Sequence, residues 1–382
     1  MNILKTVLRA WTVGCLSVFG VLVGGFLVWV VVKAVIEPRT AALSACVTEA
    51  DCQFTVVNGS NSVRVVGYSA DGSRLLTKGG DTLLHGAEDG RRIARIKPDF
   101  SPFEVKFMGI LPEIAAVGKE AIAFYDYEGD LLRTWRADPD ERTTGFVALP
   151  ELNGFALAQP DHITFYRLSD GQAFTTLPNS QGMNQLTLSE DGQVLAAFQT
   201  DTQSIHIWPL ANLAGAVVIP NVGEVRRLVH TNLQISGDGS LVAAHSHNTA
   251  QVWRTADGSL VDSVYHPDFT ITAISLAKNG AYLALGYDDG FAEVWDLAAG
   301  DRVKQFEHRR DIFGLALSPD GRQLAVGLQR RSTTRSISAA ERDQAWRRHR
   351  QGDRLNTTDR FLSPNTTYIS TQPGFGIVWA VD

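Results

Sequence analysis

The chain has 382 residues, of which 44% are hydrophobic and 20% charged, and its net charge is -6. That length supports one large core or two ordinary ones, and the acidic balance excludes a surface built to neutralise nucleic-acid phosphates. Its 34 glycines against 14 prolines suit an all-β protein with many tight turns.

No residue from Ala10 to Val32 is charged. The run is long enough to cross a bilayer, with Trp11 and Trp29 near its ends, and predicts a transmembrane helix over residues 10–35. Lys5 and Arg9 precede it, which places residues 1–9 in the cytoplasm and everything after Val35 in the periplasm of a Gram-negative cell. Two other readings stand beside the inner-membrane anchor. One is a cleaved secretion signal. The other is a lipoprotein cut before Cys46 in "LSAC", although Lys33, Glu37 and Arg39 separate that box from the apolar run. Gly20 and Gly24 form a GxxxG pair, read as ordinary membrane-helix composition, with helix dimerisation as the less favoured use. Residues 36–51 form a linker. Cys46 and Cys52 flank its end and are expected to form a small-loop disulfide in an oxidising compartment, the alternative being free or lipidated thiols. Their spacing is not CxxC and no histidine cluster adjoins them, so a zinc site is not expected.

A repeat follows. The turn signals "SADG", "SEDG", "SGDG", "AKNG" and "SPDG" recur along the chain, and Gly239, Gly280 and Gly321 stand 41 residues apart. Each unit has the same order: an alternating strand, the Asp/Asn-Gly turn, and a small-residue apolar strand such as "YLALGY". A third strand then ends in an aromatic (Tyr125, Tyr166, Trp208, Trp253, Trp295 or Trp379), and a polar fourth strand follows. Four short antiparallel strands with two apolar faces form a propeller blade, which buries those faces only by stacking on neighbours. Seven units begin near Val63, Phe103, Thr144, Asn184, Val229, Thr272 and Phe313.

This pattern resembles the WD40-repeat family across residues 51–382, most clearly in the last two complete units. "AEVWDL" carries the Trp295-Asp296 pair. His308 stands thirteen residues before Gly321, with Glu307 in place of the family's usual glycine, and His266 and Asp289 hold similar positions in the unit of Trp295. The resemblance implies a seven-bladed β-propeller over residues 52–382. It also implies structural roles for His266, Asp289, Trp295 and His308 in hydrogen bonding inside a blade. The last unit, ending in "FGIVWAVD", lacks a fourth strand, while "CQFTVVNGS" (Cys52 to Ser60) has no hairpin partner. Propellers of this family commonly close by pairing such strands. The closure implies an anchor attached at the bottom face, with the top face turned to the periplasm.

The seventh unit is interrupted over residues 330–373, between its second and third strands and therefore on the top face. Between Arg330 and Arg360 lie nine arginines and four acids. Ser338 with Glu341 makes a capping box, and a helix is expected to run from there to Gly352. The functional reading is a basic docking element for an acidic protein partner, with Trp346 as anchor and Arg309, Arg310, Arg342, Arg347, Arg348 and Arg350 around it. The bland reading is a solvated loop whose arginines pair with the acidic propeller.

No HExxH, GxSxG, CxxC or phosphate-loop motif occurs. His245 and His247 share a strand face but lack further metal ligands nearby. Asn58, Asn356 and Asn365 head glycosylation triplets that matter only in a eukaryotic secretory route. The expectation is a non-enzymatic interaction scaffold or accessory subunit of a membrane complex, without metal or cofactor. The alternative is a propeller enzyme or small-ligand binder with a site in the central channel.

Overall fold

The repeated turn is a local hydrogen-bond device. Ser69 Oγ donates to Asp71 Oδ1 (2.5 Å), that carboxylate accepts the Ser73 amide (3.0 Å), and Ser69 Oγ accepts the Arg74 amide (3.0 Å). Ser189–Asp191, Ser236–Asp238 and Ser318–Asp320 repeat the arrangement. The glycine that follows each aspartate has a positive φ, from 67° to 77° at Gly72, Gly192, Gly239 and Gly321, which other residues adopt only with strain. The motif therefore fixes the hairpin between the first two strands of a blade by itself.

A computed structural model describes residues 52–57, 62–137, 142–177, 180–222, 233–308, 311–328, 332–335, 368–371 and 375–381. The chain divides into two units, Met1–Ala50 and Asp51–Asp382. The expected anchor at 10–35, the linker residue Cys46 and the whole first unit lie outside the described residues. Among the described residues no helix is long and apolar enough to cross a membrane.

Among its described residues the second unit contains seven four-stranded antiparallel sheets, as expected of a seven-bladed propeller. The innermost strand of each blade, strand a, is Arg64–Tyr68, Glu104–Phe107, Gly145–Leu149, Met183–Leu188, Leu233–Ile235, Ile271–Leu276 and Ile312–Leu317 in turn. These fall within a few residues of the unit starts read from sequence. The faces between blades carry the core. Leu76, Leu84 and Ile96 of the first blade meet Val105, Ile114 and Tyr125 of the second. Similar clusters join the second to the third, third to fourth, fourth to fifth and fifth to sixth. Each fully buried large side chain contributes about 1.5–3 kcal/mol. The small residues of strand b admit close approach between blades. A Cβ on Gly327 would come within 2.4 Å of the Val63 carbonyl oxygen in the next blade.

The ring closes as the strand count requires. Cys52–Val57 pairs antiparallel with Phe375–Ala380, in register Thr55 with Ile377 and Val57 with Phe375. This makes the first strand of the domain the outer strand of the seventh blade, beyond Ile312–Leu317, Gln323–Leu328 and Phe375–Ala380. Trp379, 1% exposed, lies 5.2 Å from the Phe306 ring and 5.5 Å from the His308 ring of the sixth blade. The interruption is an insertion into an intact sheet, since Gln323–Leu328 and Phe375–Ala380 pair from Gln323 with Ala380 to Gly327 with Gly376. At its base, Ser332–Arg335 pairs with Tyr368–Thr371. The helix expected from Ser338 to Gly352 lies outside the described residues.

The sixth blade is held by a buried carboxylate. Glu293, 3% exposed, accepts from Tyr287 Oη (2.9 Å), Trp295 Nε1 (3.2 Å) and Arg302 Nη1 (2.5 Å). Three donors on one acceptor group keep its charge compensated.

Three measurements follow from this packing. Trp379→Ala is expected to cost about 3–5 kcal/mol, read by urea unfolding, because it empties the join between the sixth and seventh blades. An unchanged midpoint would show that closure does not depend on that ring. Glu293→Ala is expected to cost about 2–4 kcal/mol and Glu293→Gln distinctly less, since an amide oxygen still serves Tyr287 and Trp295. Equal losses would assign the effect to charge alone. Burial pushes His85, His245 and His308 each down to about 4. The unfolded chain takes up these protons near pH 6.5, and the folded one only near 4. The stability is therefore full above about pH 6.5 and falls as the pH drops through that window. His308→Gln is expected to flatten the melting-temperature profile between pH 6.5 and 5, and a parallel profile would count against it.

Candidate functional site

Charged residues stand where the fold needs none, in the innermost strands. Strand a of one blade contacts strand a of its neighbours, so these strands surround the axis. Arg64 opens the first of them and pairs across the sheet with Lys78, the last residue of strand b. Glu104 opens the next and pairs with Val117. Ile312 opens the seventh and pairs with Leu328, where the insertion departs. Arg64, Lys78, Glu104 and the root of the insertion therefore share one end of the ring, the top.

A cavity of about 190 Å³ lies there. Its lining includes Arg64, Lys78, Glu104, Lys106, Gln185 and Gln234, contributed by the first, second, fourth and fifth blades. Lys106 reaches across from the second blade. Its Nζ donates to the Phe146 carbonyl of the third (3.0 Å) and the Leu186 carbonyl of the fourth (3.1 Å), and lies 2.9 Å from Glu104 Oε1. Three acceptors use all three of its N–H groups. Lys78 Nζ donates to the Pro102 carbonyl (2.7 Å) and the Phe103 carbonyl (3.3 Å). The Arg64 guanidinium stands 5.3 Å from the centre of the Phe313 ring, and its Nε is buried without a hydrogen-bond partner among the described residues. Burial pulls the Arg64 guanidinium below its ordinary value, opposed by Glu104. Lys78 is lowered by burial first and by the Arg64 charge second, again opposed by Glu104. Gln185 sits at a bulge between Asn184 and Thr187 with φ of 50°, and its Oε1 is likewise buried without a partner. A left-handed non-glycine residue with an unpaired buried polar atom marks a locally costly arrangement.

The residues singled out in the sequence distribute differently. Arg309, Arg310, Arg342, Trp346, Arg347, Arg348 and Arg350 lie outside the described residues. So does Cys46, and of Cys52 only its strand position is described. His266, Asp289, Trp295 and His308 all lie in or beside the sixth blade. The His266 ring packs at a tilt against Phe269 (4.6 Å) and Tyr287 (5.3 Å) and accepts the Asp268 amide at Nδ1 (3.4 Å). Asp289 accepts the Phe291 amide (3.0 Å), and burial raises its carboxyl above the usual range. Trp295 donates to Glu293 (3.2 Å), and the His308 amide donates to the Gly290 carbonyl (2.8 Å) while its ring packs on Trp379. No hydrogen bond joins His266, Asp289 and Trp295 to one another among the described residues. Glu293 takes the central place that the resemblance assigned to them. His245 is buried on its strand, whereas His247 follows it in a left-handed conformation, with φ of 45°. No group of three metal-ligating side chains occurs among the described residues.

Sequence reasoning missed Glu293, Arg64, Lys78, Glu104 and Lys106. Their signal was present as charges at strand positions, in "AEVW", "RVV", "LLTK" and "EVKF".

No family model matches the chain. It is 26% identical to transcription initiation factor TFIID subunit 5 of Caenorhabditis elegans over 141 residues, 36% of this chain and 21% of that protein. It is 25% identical over 162 residues to a WD repeat-containing protein of Synechocystis, covering 42% of this chain and 45% of the relative. It is also 25% identical to the protein LST8 homolog of Drosophila melanogaster over 215 residues, 52% of this chain and 66% of the relative. The chain thus spans under half the length of the first two. The chain is thus similar to WD-repeat proteins over part of its length, and its described blades are the fold that the resemblance implied.

Proposed function

We propose that this propeller is a non-enzymatic interaction scaffold or accessory subunit, anchored by residues 10–35 in the inner membrane, with its blades in the periplasm. One observation carries the reading. The seventh blade is complete without residues 330–373, because the ladder between its second and third strands is continuous to Gly327 and Gly376. A segment that the sheet does not need, carrying nine arginines and a tryptophan, is most economically explained by a partner. One relative is by name a subunit of a multiprotein factor, which agrees with this use of the fold. An acidic protein surface in a membrane complex is the matching partner, and Arg309, Arg310, Arg342, Trp346, Arg347, Arg348 and Arg350 are its assigned contacts. Among the described residues the channel mouth offers a single lining carboxylate and no histidine, which favours binding over hydrolytic chemistry.

The test is affinity capture in mild detergent, followed by mass spectrometry, of the full chain and of a chain lacking residues 331–372. The full chain is expected to fractionate with membranes and to recover a stoichiometric partner. The deletion is expected to keep its melting temperature, since its ladder stays closed, and to lose that partner. Recovery of the same partner by both chains would remove the insertion from the interface, and recovery of none by either would end the scaffold reading.

A further inference from the structure

The channel mouth carries more positive charge than it compensates. Among the described residues lining the cavity, Arg64, Lys78 and Lys106 are cations and Glu104 is the single anion. Glu104 and Lys106 pair at 2.9 Å, and the Lys106 ammonium is saturated by two carbonyls besides. Arg64 and Lys78 remain. The lysine has two acceptors for three N–H groups, and the arginine has a buried Nε–H without a partner. Holding two cations beside each other in a partly buried site, with one nearby carboxylate that Lys106 already engages, is unfavourable, and an anion between them reverses the sign of that interaction. The Gln185 Oε1, also buried and unpartnered, asks for a hydrogen donor on the same occupant. A volume near 190 Å³ corresponds to about six water shares of ~30 Å³, enough for a small organic anion.

We propose that the top of the central channel is a binding site for a small dianion carrying one hydroxyl hydrogen, held by Arg64 and Lys78 with Gln185 accepting that hydrogen. Hydrogenphosphate and a hydroxydicarboxylate both present this chemistry. The Phe313 ring, 5.3 Å from the Arg64 guanidinium carbon, restrains that side chain and so lowers the entropy cost of ordering it on an oxyanion. The site stands in the propeller itself and does not depend on the scaffold reading or on the insertion.

Calorimetric titration of the purified full chain in detergent and phosphate-free buffer tests this, with inorganic phosphate, malate and acetate as separate probes. One or both dianions are expected to bind with unit stoichiometry, and acetate to bind at least about tenfold more weakly. Binding of phosphate alone assigns a tetrahedral oxyanion, and binding of malate alone a dicarboxylate. Arg64→Gln and Lys78→Gln are each expected to weaken that binding at least about tenfold, Arg64→Lys to weaken it less, and the exposed Lys97→Gln not at all. Absence of binding by both dianions up to about 10 mM overturns the site in the wild-type chain, whatever the variants do. So does binding that Lys78→Gln leaves unchanged.

Discussion

The antiparallel ladder between Cys52–Val57 and Phe375–Ala380 is the contact on which the propeller rests. The ladders of the first six blades join strands close in sequence, and each such hairpin costs little loop entropy. This one joins residues more than three hundred apart, yet without it the seventh blade has three strands and an open edge. The consequence spreads inward. Val65, Tyr68 and Leu75 of the first blade pack with Ala316, Ala325 and Val378 of the seventh, and that cluster exists only when the two ends of the ring meet. Gln323 Nε2 donates to Gln53 Oε1 (2.8 Å) across the same closure, outside the core. A ring of blades has no terminal face to cap, which is how a set of units that cannot bury themselves singly becomes stable together.

The sequence made the blades legible because their chemistry is local. The Ser-x-Asp-Gly turn closes on its own hydrogen bonds, and alternation of apolar residues places the strands on either side of it. The second and third units lack that turn. Their hairpins run through Gly109, with φ of 65°, and through a short 3-10 turn at Pro150–Leu152 followed by Asn153 in the left-handed region. They were nonetheless countable from strand spacing. The aromatic endings of the third strands were legible for the same reason, as Trp208, Trp253 and Trp379 occupy equivalent buried places.

What escaped the sequence depends on residues brought together across blades or across a sheet. The resemblance pointed to His266, Asp289 and Trp295, whereas the donors of the sixth blade converge on Glu293, two residues before the tryptophan. Two positions apart on a strand puts both side chains on one face, so Trp295 reaches Glu293 more directly than it reaches a histidine in a preceding loop. The blade still holds a buried polar group with its partners supplied, from residues other than those the resemblance pointed to. The channel residues were missed for a different reason. Arg64, Glu104 and Lys106 come from strands forty residues apart, and no periodicity relates a lysine of the second blade to a carbonyl of the fourth.

Electrostatics then gives the two ends of the ring different characters. The chain is acidic overall, but Arg64, Lys78 and Lys106 collect at the end where the first strands begin, and the arginine-rich insertion departs from that same end beside Leu328. At the opposite end stand the Ser-x-Asp-Gly turns, with Asp71 and Asp320 held below the usual carboxylate range chiefly by their serine hydroxyls, so that they keep their charge. The fold separates these charges without effort, because every blade places its first turn at one end and its second at the other. Repeating one turn motif around a closed ring thus builds an acidic rim, and leaves the other rim free to be basic. A positive end on a negative body orients an approaching anion before contact, by a field that acts over about 8–10 Å at physiological salt.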